Sequence, residues 1–232
     1  MGDTILVVAA HPDDEVLGCG GVMALLAGRG HAVHVAILGE GATSRGPGGQ
    51  GDVDALRDQA RRAGDILGAR QVMTFGLPDN TFDSLPLLDV VKIVEGVVDE
   101  IAPTRIYTHF GGDLNVDHQV THRAVLTATR PMRECGVREI LAFEVPSSTE
   151  WAFGRVGGAF NPTVFMDVAG TLERKIEAMA VYETESRPFP HPRSPQALRM
   201  LAGTRGAAVG LDAAEAFELV RGVYPAGEGG RG

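Results

Sequence analysis

Apolar and polar positions fall in blocks along this chain, and the blocks switch between a strand-like and a helical period. Residues 4–10 form an unbroken apolar, β-branched run of the length of a buried strand. Five polar or rigid residues follow, and then a helical pattern over 19–29, carried by Val22, Leu25 and Leu26 and closed by Gly30. A second strand over 31–38 completes a strand–helix–strand unit, which builds parallel sheets through right-handed crossovers. The pattern continues with an amphipathic helix over 52–68, with Leu56, Ala60, Ala63 and Leu67 on one face, and a strand over 71–75. A helix over 85–101 ends before Pro103, a strand covers 105–109, a helix 117–129 and a strand 139–145. Beyond this point the alternation weakens. Residues 146–160 read as irregular, 163–168 as a strand, 169–184 as a helix, and 196–208 and 213–221 as two closing helical stretches. The pattern predicts an α/β, Rossmann-like three-layer fold with a mainly parallel sheet and a C-terminal helical part. One domain is expected over 1–224, with a disordered tail over 225–232.

Composition narrows the function. The chain has 232 residues, 44% hydrophobic and 22% charged, enough for a sizeable core. Its net charge of -9 weighs against nucleic acid and against anionic membrane surfaces as partners. The two cysteines, Cys19 and Cys135, form neither a CxxC nor a disulfide framework, which fits a reducing compartment. No apolar run is long enough to span a bilayer and no signal peptide precedes the first strand, so a cytoplasmic protein is expected. Residues 39–51 hold six glycines and a proline, the composition of a mobile loop leaving the same sheet edge as the first polar motif.

Candidate chemistry sits where strands end. His11, Pro12, Asp13, Asp14 and Glu15 follow the first strand directly, at the carboxyl edge where open α/β sheets bind ligands. His11 and Asp14 lie three apart on a turn around a proline that projects both side chains the same way, and are the first metal candidates. A second motif, D-L-N-V-D-H-Q-V-T-H over 113–122, hangs off the fourth strand and supplies His118 at the start of a helix. Three protein ligands with one open position is the arrangement of a catalytic zinc site. Asp13 is then the spare carboxylate beside the metal, placed to act as a base. Glu15 reads as a clamp on His11 or on the loop backbone. His122 shares a helix face with His118, but the Glu of an H-E-x-x-H motif is absent, so a structural role is expected. His109 and Cys19 also read as structural.

The two motifs, A-H-P-D-D-E after an N-terminal strand and D-L-N-V-D-H, resemble the LmbE/PIG-L-like family of zinc-dependent N-deacetylases. The resemblance runs from the first strand to about residue 221, and only the two polar motifs are specific. It implies one zinc per chain on His11, Asp14 and His118. It also implies that Asp13 is the general base and then the proton donor to the leaving amine. Asn115 departs from the pattern, since many members carry there a histidine that stabilises the oxyanion. An amide still donates a hydrogen bond to an oxyanion, but it passes no proton. Asp117 matches the family's acidic residue beside the metal histidine and is expected to orient its neighbours.

The resemblance places Arg57 and Asp79 among substrate-holding residues, the latter in a G-L-P-D turn. Arg187, His191 and Arg193 crowd a proline-rich basic segment and suggest a phosphate or carboxylate on the substrate. With Asn115 unable to move a proton, His191 is a candidate catalytic residue, reaching the site from its own chain or across a homo-oligomer contact; the alternative is that Asp13 does all the proton work and His191 packs at the surface. The expected substrate is a small N-acylated, most simply N-acetylated, amino sugar or sugar conjugate. Two rivals are a Rossmann-type dinucleotide-binding protein and a non-catalytic sugar-binding protein. Gly18, Gly20 and Gly21 follow the first strand, but Met23 occupies the third small position of the dinucleotide fingerprint. Binding alone needs no base such as Asp13.

Overall fold

The computed structural model describes residues 2–42, 50–132 and 135–224. Most of the glycine-rich stretch, at 43–49, and the tail at 225–232 lie outside the described residues.

Seven strands form one sheet in the order β3-β2-β1-β4-β5-β7-β6. β1 (Thr4–Ala9), β2 (Ala32–Gly39), β3 (Gln71–Leu77), β4 (Arg105–His109) and β5 (Glu139–Phe143) are mutually parallel. β7 (Ala214–Gly222) runs antiparallel between β5 and β6 (Val164–Asp167). The unbroken apolar run of β1 follows from its place at the centre, covered on both faces. Ile5, Val7 and Ala9 pack into the core on one face, and Leu6 and Val8 into the core on the other. The first face is closed by α1 (Asp14–Gly28), α2 (Gln50–Leu67), α5 (Leu172–Val181) and α6 (Pro195–Ala207). The second is closed by α3 (Leu87–Ile101) and α4 (Val116–Ala128). This is the three-layer α/β architecture expected from the sequence.

Strand order reverses between β1 and β4, neighbours in the sheet but not in the chain. Crossovers leave this point in opposite directions and open a crevice at the carboxyl ends of the strands. Both polar motifs follow these two strands.

Two elements differ from the sequence expectation. α1 starts at Asp14, before the glycines, and is broken at Cys19, whose backbone is non-helical (φ -150°, ψ 24°). Gly18 permits a close approach there: a Cβ would stand 2.3 Å from the Phe143 ring. Residues 213–221, expected to be helical, instead form most of β7. Alanine, glutamate and leucine favour a helix locally, but the slot between β5 and β6 offers backbone pairing on both sides. Phe217 is buried edge-on against Tyr107, with ring centroids 5.0 Å apart. The C-terminal part is therefore two helices and the strand that completes the sheet.

Candidate active site

The turn after β1 is held tightly. Asp14 Oδ2 accepts the backbone N–H of His11 at 2.9 Å, and the Asp13 carbonyl accepts from Val16 and Leu17 to start α1. Asp13 takes a left-handed conformation (φ 101°), which strains a residue with a side chain. Glu15 braces it: one carboxylate oxygen accepts the Asp13 N–H at 3.1 Å, and the other accepts the Tyr182 hydroxyl at 2.6 Å. After β4, Asn115 caps α4 by accepting the Asp117 N–H at 2.8 Å, which sets His118 on the first turn.

The two turns bring His11, Asp14 and His118 together. His11 Nδ1 lies 3.3 Å and His118 Nε2 3.2 Å from the same oxygen, Asp14 Oδ2. The three ligand atoms fall within 4.8 Å of one another. Each imidazole is backed by a carboxylate on its far nitrogen. Asp117 Oδ2 is 2.9 Å from His11 Nε2, with Asp79 Oδ1 at 3.1 Å, and Asp113 Oδ1 is 3.0 Å from His118 Nδ1. Such backing fixes ring orientation and raises ligand basicity around metals. Burial works against charge on both rings, yet the surrounding carboxylates raise His11 to about 10 and His118 to about 9. Burial alone would also raise Asp14; the His118 and His109 rings and the bond to His11 hold it well below the usual carboxylate range. A cluster that binds protons this strongly fits a divalent cation in their place. A second trio, His11, Asp79 and Asp117, also converges, but through His11 Nε2, the nitrogen that Asp117 orients.

Asp13 is buried beside the trio. Arg193 Nη1 lies 2.6 Å from Asp13 Oδ2 and 2.9 Å from Glu185, while Arg193 Nε donates to Ser147 Oγ at 2.7 Å. Burial pushes the Asp13 carboxyl well above the usual range, against the pull of Arg193. A cleft of about 560 Å³ opens over these groups, lined among others by His11, Asp13, Asp14, Asp79, Asn115, His118 and Arg193.

Not every sequence candidate joins this cleft. Arg193 does, but its guanidinium is committed to Asp13 and Glu185. Asn115 lines the cleft and donates its amide to Asn80 Oδ1 at 3.0 Å. Arg57 pairs with Asp54 at 3.5 Å and reaches toward Gly76 on β3, outside the cleft lining. Arg187 and His191 line an adjoining bowl that shares Ser147, Glu185 and Arg193 with the cleft. His109 is buried, stacks on His118 with centroids 3.9 Å apart and accepts the Ala10 N–H at 2.8 Å. His122 Nδ1 meets the His109 carbonyl at 2.8 Å.

Sequence reasoning did not single out Asp113, Glu185 or Tyr182. Asp113 accepts hydrogen bonds from the Ser148 and Thr149 hydroxyls and from the Asn115 N–H as well as backing His118. Its signal was present, a carboxylate at the head of the strand-to-helix turn. Glu185 and Tyr182 carried none, because their roles depend on contacts with residues far along the chain.

Comparison with known proteins adds to this picture. The PIG-L family pattern, described as GlcNAc-PI de-N-acetylase, matches residues 6–129, which contain both motifs. A protein described as the uncharacterized deacetylase YaiS of Escherichia coli (strain K12) is 31% identical over 169 residues, 71% of this chain and 81% of its own. The 4-oxalmesaconate hydratase of Pseudomonas putida (strain KT2440) is 28% identical over 194 residues, 75% of this chain and 70% of its own. In fold, the chain is similar to the N,N'-diacetylchitobiose deacetylase from Pyrococcus horikoshii, with a TM-score of 0.76 at 17% identity over 94% of this chain and 84% of that one.

Proposed function

The chain belongs to the PIG-L family of GlcNAc-PI de-N-acetylases, and from that premise we propose that it hydrolyses the N-acetyl amide of an amino sugar or sugar conjugate, with one zinc ion held by His11, Asp14 and His118. When bound, the ion supplies Lewis acidity that polarises a carbonyl and makes water nucleophilic near neutral pH. The observation that carries this reading is the convergence of the three ligand atoms on one buried point beside a separate, strained carboxylate, Asp13.

Asp13 takes the proton from the attacking water and returns it to the leaving amine nitrogen. Burial favours the protonated form of its carboxyl, which suits a group that takes up a proton and carries it to the amine. Arg193 and Glu15 keep its side chain and backbone in place. Asn115 offers an amide donor toward the developing oxyanion, and Asp117 holds the His11 ring through Nε2. Asp79, on the cleft wall, is assigned to sugar hydroxyls. Both proton transfers fall to Asp13 in this reading. His191, in the adjoining bowl, is assigned to substrate rather than to chemistry.

The test is acetate release from a panel of N-acetylated sugars by zinc-loaded protein, abolished by chelation and restored by zinc. The same preparation is offered 4-oxalmesaconate, because a relative at 28% identity is a hydratase of that compound. Water addition to it, with no acetate released from any sugar, would replace the deacetylase reading.

A further inference from the structure

We propose that the bowl beside the metal cleft is a subsite for a phosphate group carried on the non-acylated part of the substrate. The bowl, about 520 Å³, is lined by Ser147, Trp151, Glu185, Arg187, His191 and Arg193. Ser147, Glu185 and Arg193 line both the bowl and the cleft, so a group carried by a substrate in the cleft can reach it.

Its charge is opposite to that of its surroundings. The cleft carries Asp13, Asp14 and Asp79, and the chain as a whole has a net charge of -9. In the bowl, the sole carboxylate of the lining, Glu185, is paired with Arg193 at 2.9 Å. Arg187 is exposed, and among the described residues no carboxylate lies within ion-pairing distance of it. That guanidinium is the group an anionic ligand would meet.

Two neutral donors accompany it. His191 Nδ1 accepts the Arg193 backbone N–H at 3.1 Å, which leaves the ring proton on Nε2 as a donor. Burial, with the Arg193 and Arg187 charges, lowers its pKa and keeps the ring neutral. Ser147 Oγ accepts from Arg193 Nε, so its own hydroxyl proton is available. Arg187, His191 and Ser147 thus offer three sources of N–H or O–H bonds, matching the three terminal oxygens of a phosphate monoester. Trp151 is 44% exposed and set at 82° to the His191 ring, 6.0 Å between centroids, giving the bowl an apolar wall.

The inference rests on the proposed sugar substrate only for what carries the phosphate, and binding tests it without turnover. Zinc-loaded protein is titrated calorimetrically with glucosamine 1-phosphate and with glucosamine, neither of which holds an amide to cleave. The phosphate ester should bind about tenfold tighter, the effect of one charge-assisted contact. Arg187→Ala should remove that advantage and Arg187→Lys should keep part of it, while affinity for glucosamine stays unchanged in both. Equal binding of the two ligands by the unaltered protein would overturn the subsite. So would an undiminished advantage in Arg187→Ala, since the phosphate would then be held away from that guanidinium, as at the metal. Acetate release from the panel of N-acetylated sugars, measured in parallel, separates the two readings. An Arg187-dependent advantage without deacetylation keeps the subsite and removes the deacetylase; deacetylation without the advantage does the reverse.

Discussion

At the scale of single residues, the site divides its labour between neighbours in sequence. Asp14 points at the two imidazoles, whereas Asp13, one position earlier, is turned by its positive φ toward Arg193. Their environments push their pKa values in opposite directions, Asp13 up through burial and Asp14 down through the histidines that offset its burial. This is the separation expected of a proton-carrying group beside a metal ligand. Asp13→Asn should therefore retain its metal and lose about 10²- to 10⁴-fold in kcat; near-normal kcat at full metal content would move the base elsewhere. His118→Ala should lose the metal itself, because two remaining ligands make a poor zinc site. Metal analysis after dialysis checks this, and undiminished occupancy would refute the ligand set.

At the scale of elements, α1 shows how a broken, glycine-rich helix is held together. The helix breaks at Cys19, and the break is bridged by a buried ion pair, Lys175–Glu215, at 2.6 Å. Glu215 accepts the Gly21 and Val22 N–H groups beyond the break at 3.0 and 2.7 Å, while Lys175 donates to the Leu17 carbonyl before it at 2.8 Å. The orphaned backbone groups of both half-helices are thus satisfied by side chains from β7 and α5. Glu215→Ala leaves Lys175 buried and unpaired and should cost about 3–5 kcal/mol of stability, measured by denaturant unfolding. The Lys175→Met, Glu215→Gln double variant should recover part of that loss; if it is no more stable than Glu215→Ala, the unpaired charge is not the cause. β7 has the composition of a helix, and only pairing with β5 and β6 reveals its strand state.

At the scale of the molecule, the sheet's switch point assembles the site and links it to stability. His122 on α4 donates to the carbonyl of His109 at the end of β4, fastening helix to strand beneath the cleft. Burial lowers the His122 pKa despite this bond. A folded pKa below the unfolded value near 6.5 means that the unfolded chain binds more protons as the pH falls through that value. The stability that a neutral His122 contributes should therefore be lost on acidification below about pH 6.5. His122→Asn, which keeps an N–H donor but does not titrate, should show a shallower fall between pH 7.5 and 5 in denaturant midpoints; parallel curves for the two proteins would exclude His122 as a source.

Among the described residues no helix is long and apolar enough to cross a membrane, as the apolar run lengths anticipated. The central strands, the crossover helices and the polar motifs at two strand ends were all readable from the chain, because periodicity and strand-end chemistry act over a few residues. The pairing of charges was not. Arg193 finds Asp13 across 180 residues and Tyr182 finds Glu15 across 167, and Arg193 reads from sequence as a substrate holder. Local sequence determines which residues stand at a strand's end and which face is apolar. Strand order decides which ends meet, and burial between them decides which charge must be answered by which partner.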